Sequence, residues 1–222
     1  MRNKNTECKN ILCLFDLDGT LTDPQDGIVN SIAFALQKLG LPAQERSLLA
    51  TFIGPPLRDS FAQVLGLNAE QVEQAIAAYR EYFAERGIFE NRLYDGILEL
   101  LQRLQAEGIP MAIATSKPTV YAEKIAAHFG FVQYFDYIAG ANLDGTRECK
   151  GEVIAHALEQ LQPSPGTQIF MIGDRKHDIL GAQEHDLQSI GVLWGYGSRE
   201  ELTNAGACKL VGTIDELYDT IV

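Results

Sequence analysis

Apolar residues along this chain follow two rhythms. Short continuous runs occur at 11–15 (ILCLF), 110–115 (PMAIAT), 168–173 (QIFMIG) and 189–193 (SIGVL), the pattern of strands covered on both faces in a parallel sheet. Elsewhere the apolar positions recur every three or four residues, as in Ile97, Leu100, Leu101 and Leu104 just before the second run, or Val153, Ile154, Ala157, Leu158 and Leu161 before the third. Each set forms one face of a helix. The alternation predicts βαβ units, hence an α/β protein with a helix-covered parallel sheet.

The interval between the first two runs breaks the regularity. It holds no comparable run but shows helical stripes at Ile28, Ile32, Ala35, Leu36 and Leu39, and at Val72, Ile76, Tyr79 and Phe83. A parallel crossover needs only about a dozen residues. The surplus predicts a helical domain at 23–93 inserted into a sheet domain built from 1–22 and 94–222, with hinges near 22–26 and 91–96.

A chain of 222 residues, 46% apolar and 22% charged, has the size and mix for one folded core with a smaller insert. Its net charge of −12 repels phosphate backbones and anionic lipid, so neither a nucleic acid polymer nor a membrane is an expected partner. An anionic small substrate then requires a local positive site. Cys8, Cys13, Cys149 and Cys208 are scattered, which reads as reduced thiols rather than a disulfide or metal framework. Residues 1–10 are polar, the run at 11–15 is too short for a signal peptide, and no stretch reaches membrane-spanning length. The expected location is cytoplasmic.

Chemistry concentrates where the apolar runs end. Asp16 and Asp18 directly follow the first run. Ligands of open α/β sheets collect beyond the carboxyl ends of strands, and residues two apart on an extended segment point the same way. Gly19 lets the chain turn without a side chain in the site. Taken alone, the pair is equally readable as a turn with two solvated aspartates.

The full string Asp16-Leu17-Asp18-Gly19-Thr20-Leu21-Thr22-Asp23 resembles the first motif of the haloacid dehalogenase-like (HAD) superfamily of phosphohydrolases. The later motifs match in order. Thr115-Ser116 closes the next core run, although in isolation it reads as a helix N-cap. Lys150 stands before a predicted helix, with Lys117 as a competing candidate. Asp174 and Asp178 follow a further run, about one helical turn apart if a helix begins there. The resemblance spans nearly the whole chain apart from the insert, and the insert is similar to the helical cap of one HAD subgroup.

The resemblance implies a Rossmann-like core with an inserted α-helical cap, and a phosphatase acting on a small phosphorylated metabolite. Asp16 would be the nucleophile, forming an aspartyl-phosphate, and Asp18 the general acid and then base. Mg2+ would be held by Asp16, the Asp18 carbonyl, Asp174 and Asp178, while Thr115, Ser116 and Lys150 hold phosphate oxygens. The segment Gly54-Pro55-Pro56-Leu57-Arg58 resembles the specificity loop of phosphoglycolate phosphatase-like and 5′-nucleotidase-like members, with Arg58 facing a second anionic group or simply solvent. Phosphoglycolate and nucleoside monophosphates are the two substrates implied, the chain acting as a monomer or homodimer.

Other members are weighed by their needs. A dehalogenase would not need Asp18, and a phosphonatase needs a cap lysine where this interval offers only Lys38. A β-phosphoglucomutase-type phosphosugar mutase shares every core motif, and a non-catalytic HAD-fold binding protein would have lost one. His128, His156, His177 and His185 lack metal spacing and are assigned to surface or packing, with Trp194 and Tyr196 at the sheet rim.

Overall fold

A computed structural model describes residues 10–222; Cys8 and the rest of the polar stretch 1–9 lie outside the described residues. The first run forms β1 (Ile11–Phe15), buried on both sides. Leu12 and Leu14 face one apolar cluster, while Ile11, Cys13 and Phe15 face the other. This two-sided burial is why the run is continuous rather than alternating.

After β1 the chain makes β2 (Thr22–Asp23), then α1 (Gln25–Lys38), α2 (Arg46–Ala50), α3 (Leu57–Leu65) and α4 (Ala69–Tyr82), which runs into a π-helical turn (Phe83–Gly87). The return passes through β3 (Arg92–Leu93), antiparallel to β2. The helical stripes expected at 28–39 and 72–83 are the buried faces of α1 and α4. At their junction a Cβ on Gly27 would lie 2.0 Å from the Gly87 carbonyl oxygen, so this approach requires glycine.

The remaining elements are α5 (Ile97–Ala106), β4 (Met111–Pro118), α6 (Thr119–His128), β5 (Tyr137–Ala141), α7 (Lys150–Leu161) and β6 (Gln168–Gly173). They continue with α8 (Lys176–Gln183), β7 (Gln188–Val192), α9 (Arg199–Asn204), β8 (Lys209–Val211) and α10 (Ile214–Ile221). The six-stranded sheet has the order β5-β4-β1-β6-β7-β8 with every pair parallel. Helices α7 and α8 cover one face through Val153, Ile154, Ala157 and Ala182. The opposite face packs Leu100, Leu101, Leu104 and Leu217, and its cluster continues into α1 and α4. Strand order leaves β1 toward β4 on one side and β6 on the other, which opens a crevice beyond their carboxyl ends.

Thr115 and Ser116 lie in β4, and their isolated reading as a helix N-cap does not hold: β4 runs on to Pro118 and α6 opens at Thr119, Lys117 before the proline being driven toward extended backbone. Edge strands β5 and β8 were not among the predicted runs. β8 is three residues long and opens on the exposed Lys209, and β5 is only partly covered at Tyr137 and Ile138. Among the described residues no helix is long and apolar enough to cross a membrane.

Candidate active site

Asp16 is the first residue beyond β1, and its N–H donates to the Ile172 carbonyl at 2.8 Å. That bond fixes the loop against β6, and the chain then turns at Gly19 with φ +86°. A Cβ at Gly19 would lie 2.3 Å from Asp174 Oδ2. Only glycine lets the two strand ends close on one another there.

Asp174 follows β6 and is fully buried. Its Oδ2 accepts the Tyr196 N–H at 2.7 Å, whereas its Oδ1 is buried with no hydrogen-bond partner. Asp178 sits in the first turn of α8, with Oδ2 accepting the Arg175 N–H at 3.0 Å. Carboxylate oxygens of Asp16, Asp174 and Asp178 lie within 4.8 Å of one another.

Lys150 opens α7 and is buried among these acids. Its Nζ lies 2.8 Å from Asp16 Oδ1 and 2.8 Å from Asp178 Oδ1, and donates to the Ala114 carbonyl at 3.0 Å. Burial alone would lower its pKa, but Asp16 and Asp178 outweigh burial and leave it raised. One cation is not enough for the cluster. Burial, together with Asp178 and Asp16, pushes the Asp174 carboxyl well above the usual range. Burial likewise lifts Asp178 to about 6 against the opposing pull of Lys150.

The competition between lysines resolves into two separate pairings. Lys117 Nζ meets Asp18 Oδ2 at 2.7 Å and lies 4.4 Å from the centroid of the Phe83 ring, a cation–π distance. Burial raises the Asp18 pKa and Lys117 draws it back only in part. Thr115, Ser116 and Lys117 all line the crevice with Asp16, Asp18, Lys150 and Asp178.

The opposite wall comes from the helical insert and α6. Phe52, Ile76, Tyr79, Phe83 and Tyr121 line it, with Tyr79 stacked on Phe83 and Phe83 edge-on to Tyr121 at centroid distances of 5.3 Å. Arg58 lines the rim, but its guanidinium is paired with Glu73 of α4. Arg80 donates to the Leu143 carbonyl at 2.9 Å. Arg175 donates to the Ile53 carbonyl at 2.5 Å and to Glu201 at 2.9 Å.

His177 departs from its expected role, because it lines the crevice. Burial, then Arg175 and Lys176, lower its pKa. The others pack as expected: His128 against Phe89 and Phe129, His156 with Tyr137, and His185 with the Gly151 carbonyl. Arg175, Arg80 and the aromatic wall were not singled out by the sequence. Arg175 was findable as the neighbour of Asp174, but Tyr79 and Phe83 are indistinguishable in sequence from helix core.

Comparison with known proteins follows the same strand ends. The family model for haloacid dehalogenase-like hydrolases matches residues 13–192. The chain belongs to that family. A 5′-nucleotidase of Pseudomonas aeruginosa is 46% identical over 202 residues, covering 91% of this hydrolase and 90% of that protein. A protein of Mycobacterium tuberculosis named tyrosine-protein kinase PtkA is 43% identical over 212 residues, covering 95% of this hydrolase and 72% of that one. The solved structure of a predicted phosphatase from Clostridium acetobutylicum superposes with a TM-score of 0.90 at 45% identity, covering 95% and 97% of the two chains.

The residues of this hydrolase fit a hard divalent cation. Carboxylate oxygens are the ligand type that Mg2+ prefers, and a buried carboxylate oxygen without a hydrogen-bond donor, such as Asp174 Oδ1, is costly unless something positive approaches it.

Proposed function

We propose that this haloacid dehalogenase-like phosphatase hydrolyses a small phosphomonoester with Mg2+ as cofactor, through an aspartyl-phosphate on Asp16, and that a nucleoside monophosphate is the preferred class. The observation that carries the reading is the division of charge at the crevice. Asp16 shares a lysine and two further carboxylates, while Asp18 stands apart on a lysine of its own. Two carboxylates can act as nucleophile and as acid only when their surroundings differ in this way.

Asp16 attacks phosphorus, forming the acyl-phosphate bond as the bond to the leaving oxygen breaks. Asp18 gives that oxygen its proton. In the second half Asp18 takes a proton from the water that releases phosphate. Thr115, Ser116 and Lys150 hold the remaining phosphate oxygens. Asp16, the Asp18 carbonyl, Asp174 and Asp178 would hold Mg2+, which supplies charge neutralisation for the transferring phosphoryl group. The helical insert excludes water while the leaving group is present.

The wall facing Asp18 supports the nucleoside. Its aromatic lining suits a flat, weakly polar leaving group. The cationic side chains around it already have partners: Arg58 with Glu73, Arg80 with Leu143, Lys117 with Asp18, and Arg175 with Glu201 and Ile53. A phosphoglycolate-like substrate is the second reading, favoured by Arg58 on the rim. Its pair with Glu73 is solvent-exposed, so exchanging Glu73 for a substrate carboxylate costs only about 0–1 kcal/mol.

Phosphate release from nucleoside monophosphates, phosphoglycolate and hexose phosphates, with and without Mg2+, tests this. Turnover is expected to need Mg2+ and to favour nucleoside monophosphates. Asp16→Asn should lower it at least about a thousandfold. Undiminished release by the variant would end the aspartyl-phosphate reading, and interconversion of hexose phosphates without release would make the enzyme a mutase.

A further inference from the structure

Beyond the reacting groups, the segment from Trp194 to Gly197 touches each part of the machinery that has to move or bind. It leaves β7 and runs directly over Asp174. A Cβ on Gly195 would lie 2.4 Å from Asp174 Cβ and 2.3 Å from the Gly19 carbonyl oxygen, and one on Gly197 would lie 1.8 Å from the Asp174 carbonyl oxygen. Backbone here is in contact with backbone. The Trp194 indole N–H donates to the Thr20 carbonyl at 3.0 Å.

Tyr196 reaches in two directions. Its N–H holds Asp174 Oδ2 at 2.7 Å, and its hydroxyl donates to Asp23 Oδ1. Asp23 belongs to β2, the outgoing connection to the helical insert, and its Oδ2 accepts from Arg92 of β3, the returning one, at 2.9 Å from Nε. Asp23 is buried, whereas its partner Arg92 is exposed, so the link to β3 is the end of this chain of contacts that solvent screens. A chain of contacts thus runs from Asp174 through a single tyrosine to both strands on which the insert hangs. No step of the proposed chemistry uses Tyr196, Asp23 or Arg92.

We propose that Tyr196 is a positioning residue that couples cation binding at Asp174 to the setting of the hinge formed by β2 and β3. The inference rests on the reading of the acidic cluster as the Mg2+ site. One oxygen of Asp174 is held by the tyrosine's backbone and the other is free. A cation drawn to the free oxygen fixes the carboxylate, which fixes the N–H opposite it, which fixes the phenol on Asp23. Linkage makes the effect reciprocal: whatever loosens the hinge weakens the cation by the same factor. The insert is then held in register with the sheet when the site is loaded, and is freer when it is not.

Trp194 is the sole tryptophan in the chain and stands two residues before Tyr196, so its fluorescence reports this segment without any substrate. Mg2+ is titrated against that fluorescence, and hydrogen exchange is followed at 22–26 and 91–96, in the parent, Tyr196→Phe and Asp23→Asn. Tyr196→Phe keeps the ring and the N–H to Asp174 and removes only the hydroxyl. In the parent, Mg2+ should slow exchange at the hinge. In each variant Mg2+ should bind roughly five- to tenfold more weakly and should no longer slow it, and the double variant should bind no more weakly than either single one. A merely structural role would instead lower stability equally with and without Mg2+. Unchanged affinity in Tyr196→Phe with hinge protection intact overturns the coupling and leaves the proposed function standing. A parent that does not bind Mg2+ overturns both.

Discussion

The acidic cluster should make the metal-free protein lose stability as pH rises toward neutrality. The perturbation is removal of Mg2+ with a chelator, and the group that sets the magnitude is Asp178. Its carboxyl rises from 3.8 to about 6 because it is buried, with Lys150 only partly compensating. Between those values the folded chain keeps a proton that the unfolded chain has released, so stability is complete below 3.8 and is lost as pH climbs through 6. At about 1.36 kcal/mol per unit the loss is roughly 3 kcal/mol. For a chain of this size that corresponds to about 6–12 °C in Tm. Asp174, also raised by burial, acts in the same direction. His177 acts in the other, because its lowered pKa makes the unfolded chain the better proton acceptor below 6.5. Comparison of the parent with Asp178→Asn cancels His177 and isolates Asp178. The assay is denaturant unfolding at steps from about pH 4 to about pH 7, in chelator and in saturating Mg2+. The metal-free parent should weaken with rising pH, the Asn variant should show a loss smaller by the stated amount, and Mg2+ should flatten or reverse the parent's slope because ligands bind it deprotonated. A flat or rising profile in the metal-free parent, or an unchanged slope in the variant, would refute the reasoning.

Lys150→Met removes the cation that Asp16 and Asp178 share. It should cost about 3–5 kcal/mol at neutral pH, since the buried acids lose their partner, and less near pH 5, below the raised pKa of Asp178; an equal loss at both pH values in denaturant unfolding would contradict this. Gly27→Ala places a Cβ 2.0 Å from the Gly87 carbonyl oxygen and should destabilise the chain by about 1–3 kcal/mol through overpacking. A thermal melt within about one degree of the parent would show that α1 and the π-helical turn do not meet as described.

Much of the architecture was legible because it follows from solvent contact alone. The run at 11–15 is continuous because both its faces are covered, and the stripes of α1, α4, α5 and α7 mark single buried faces. Asp16 and Asp18 drew notice because strand ends are where an α/β sheet presents its ligands, whereas Thr115, Lys150, Asp174 and Asp178 could be named only through the motif order of the haloacid dehalogenase-like resemblance. Edge strand β8 was not legible, since three residues opening on an exposed lysine carry no continuous apolar signal, and β5 (YIAGA) is apolar but rich in alanine and glycine, which are poor strand markers.

Other features lay outside the reach of any one-dimensional pattern. Nothing in the string Thr115-Ser116-Lys117 separates Lys117 from Lys150 as the partner of Asp16. The geometry assigns them to different aspartates because β4 carries one lysine toward the Phe83 ring, whereas α7 places the other against the Ala114 carbonyl between Asp16 and Asp178. Tyr79 and Phe83 read as helix core, yet they form a wall of the crevice, because α4 packs against α1 with one part of its apolar face and leaves another part over the strand ends. Tyr196 is 173 residues from the Asp23 it holds. Local sequence determines which residues avoid water and where chains turn, since both depend on neighbours a few residues away. Which charges meet depends on strand order, and strand order was decided only by folding.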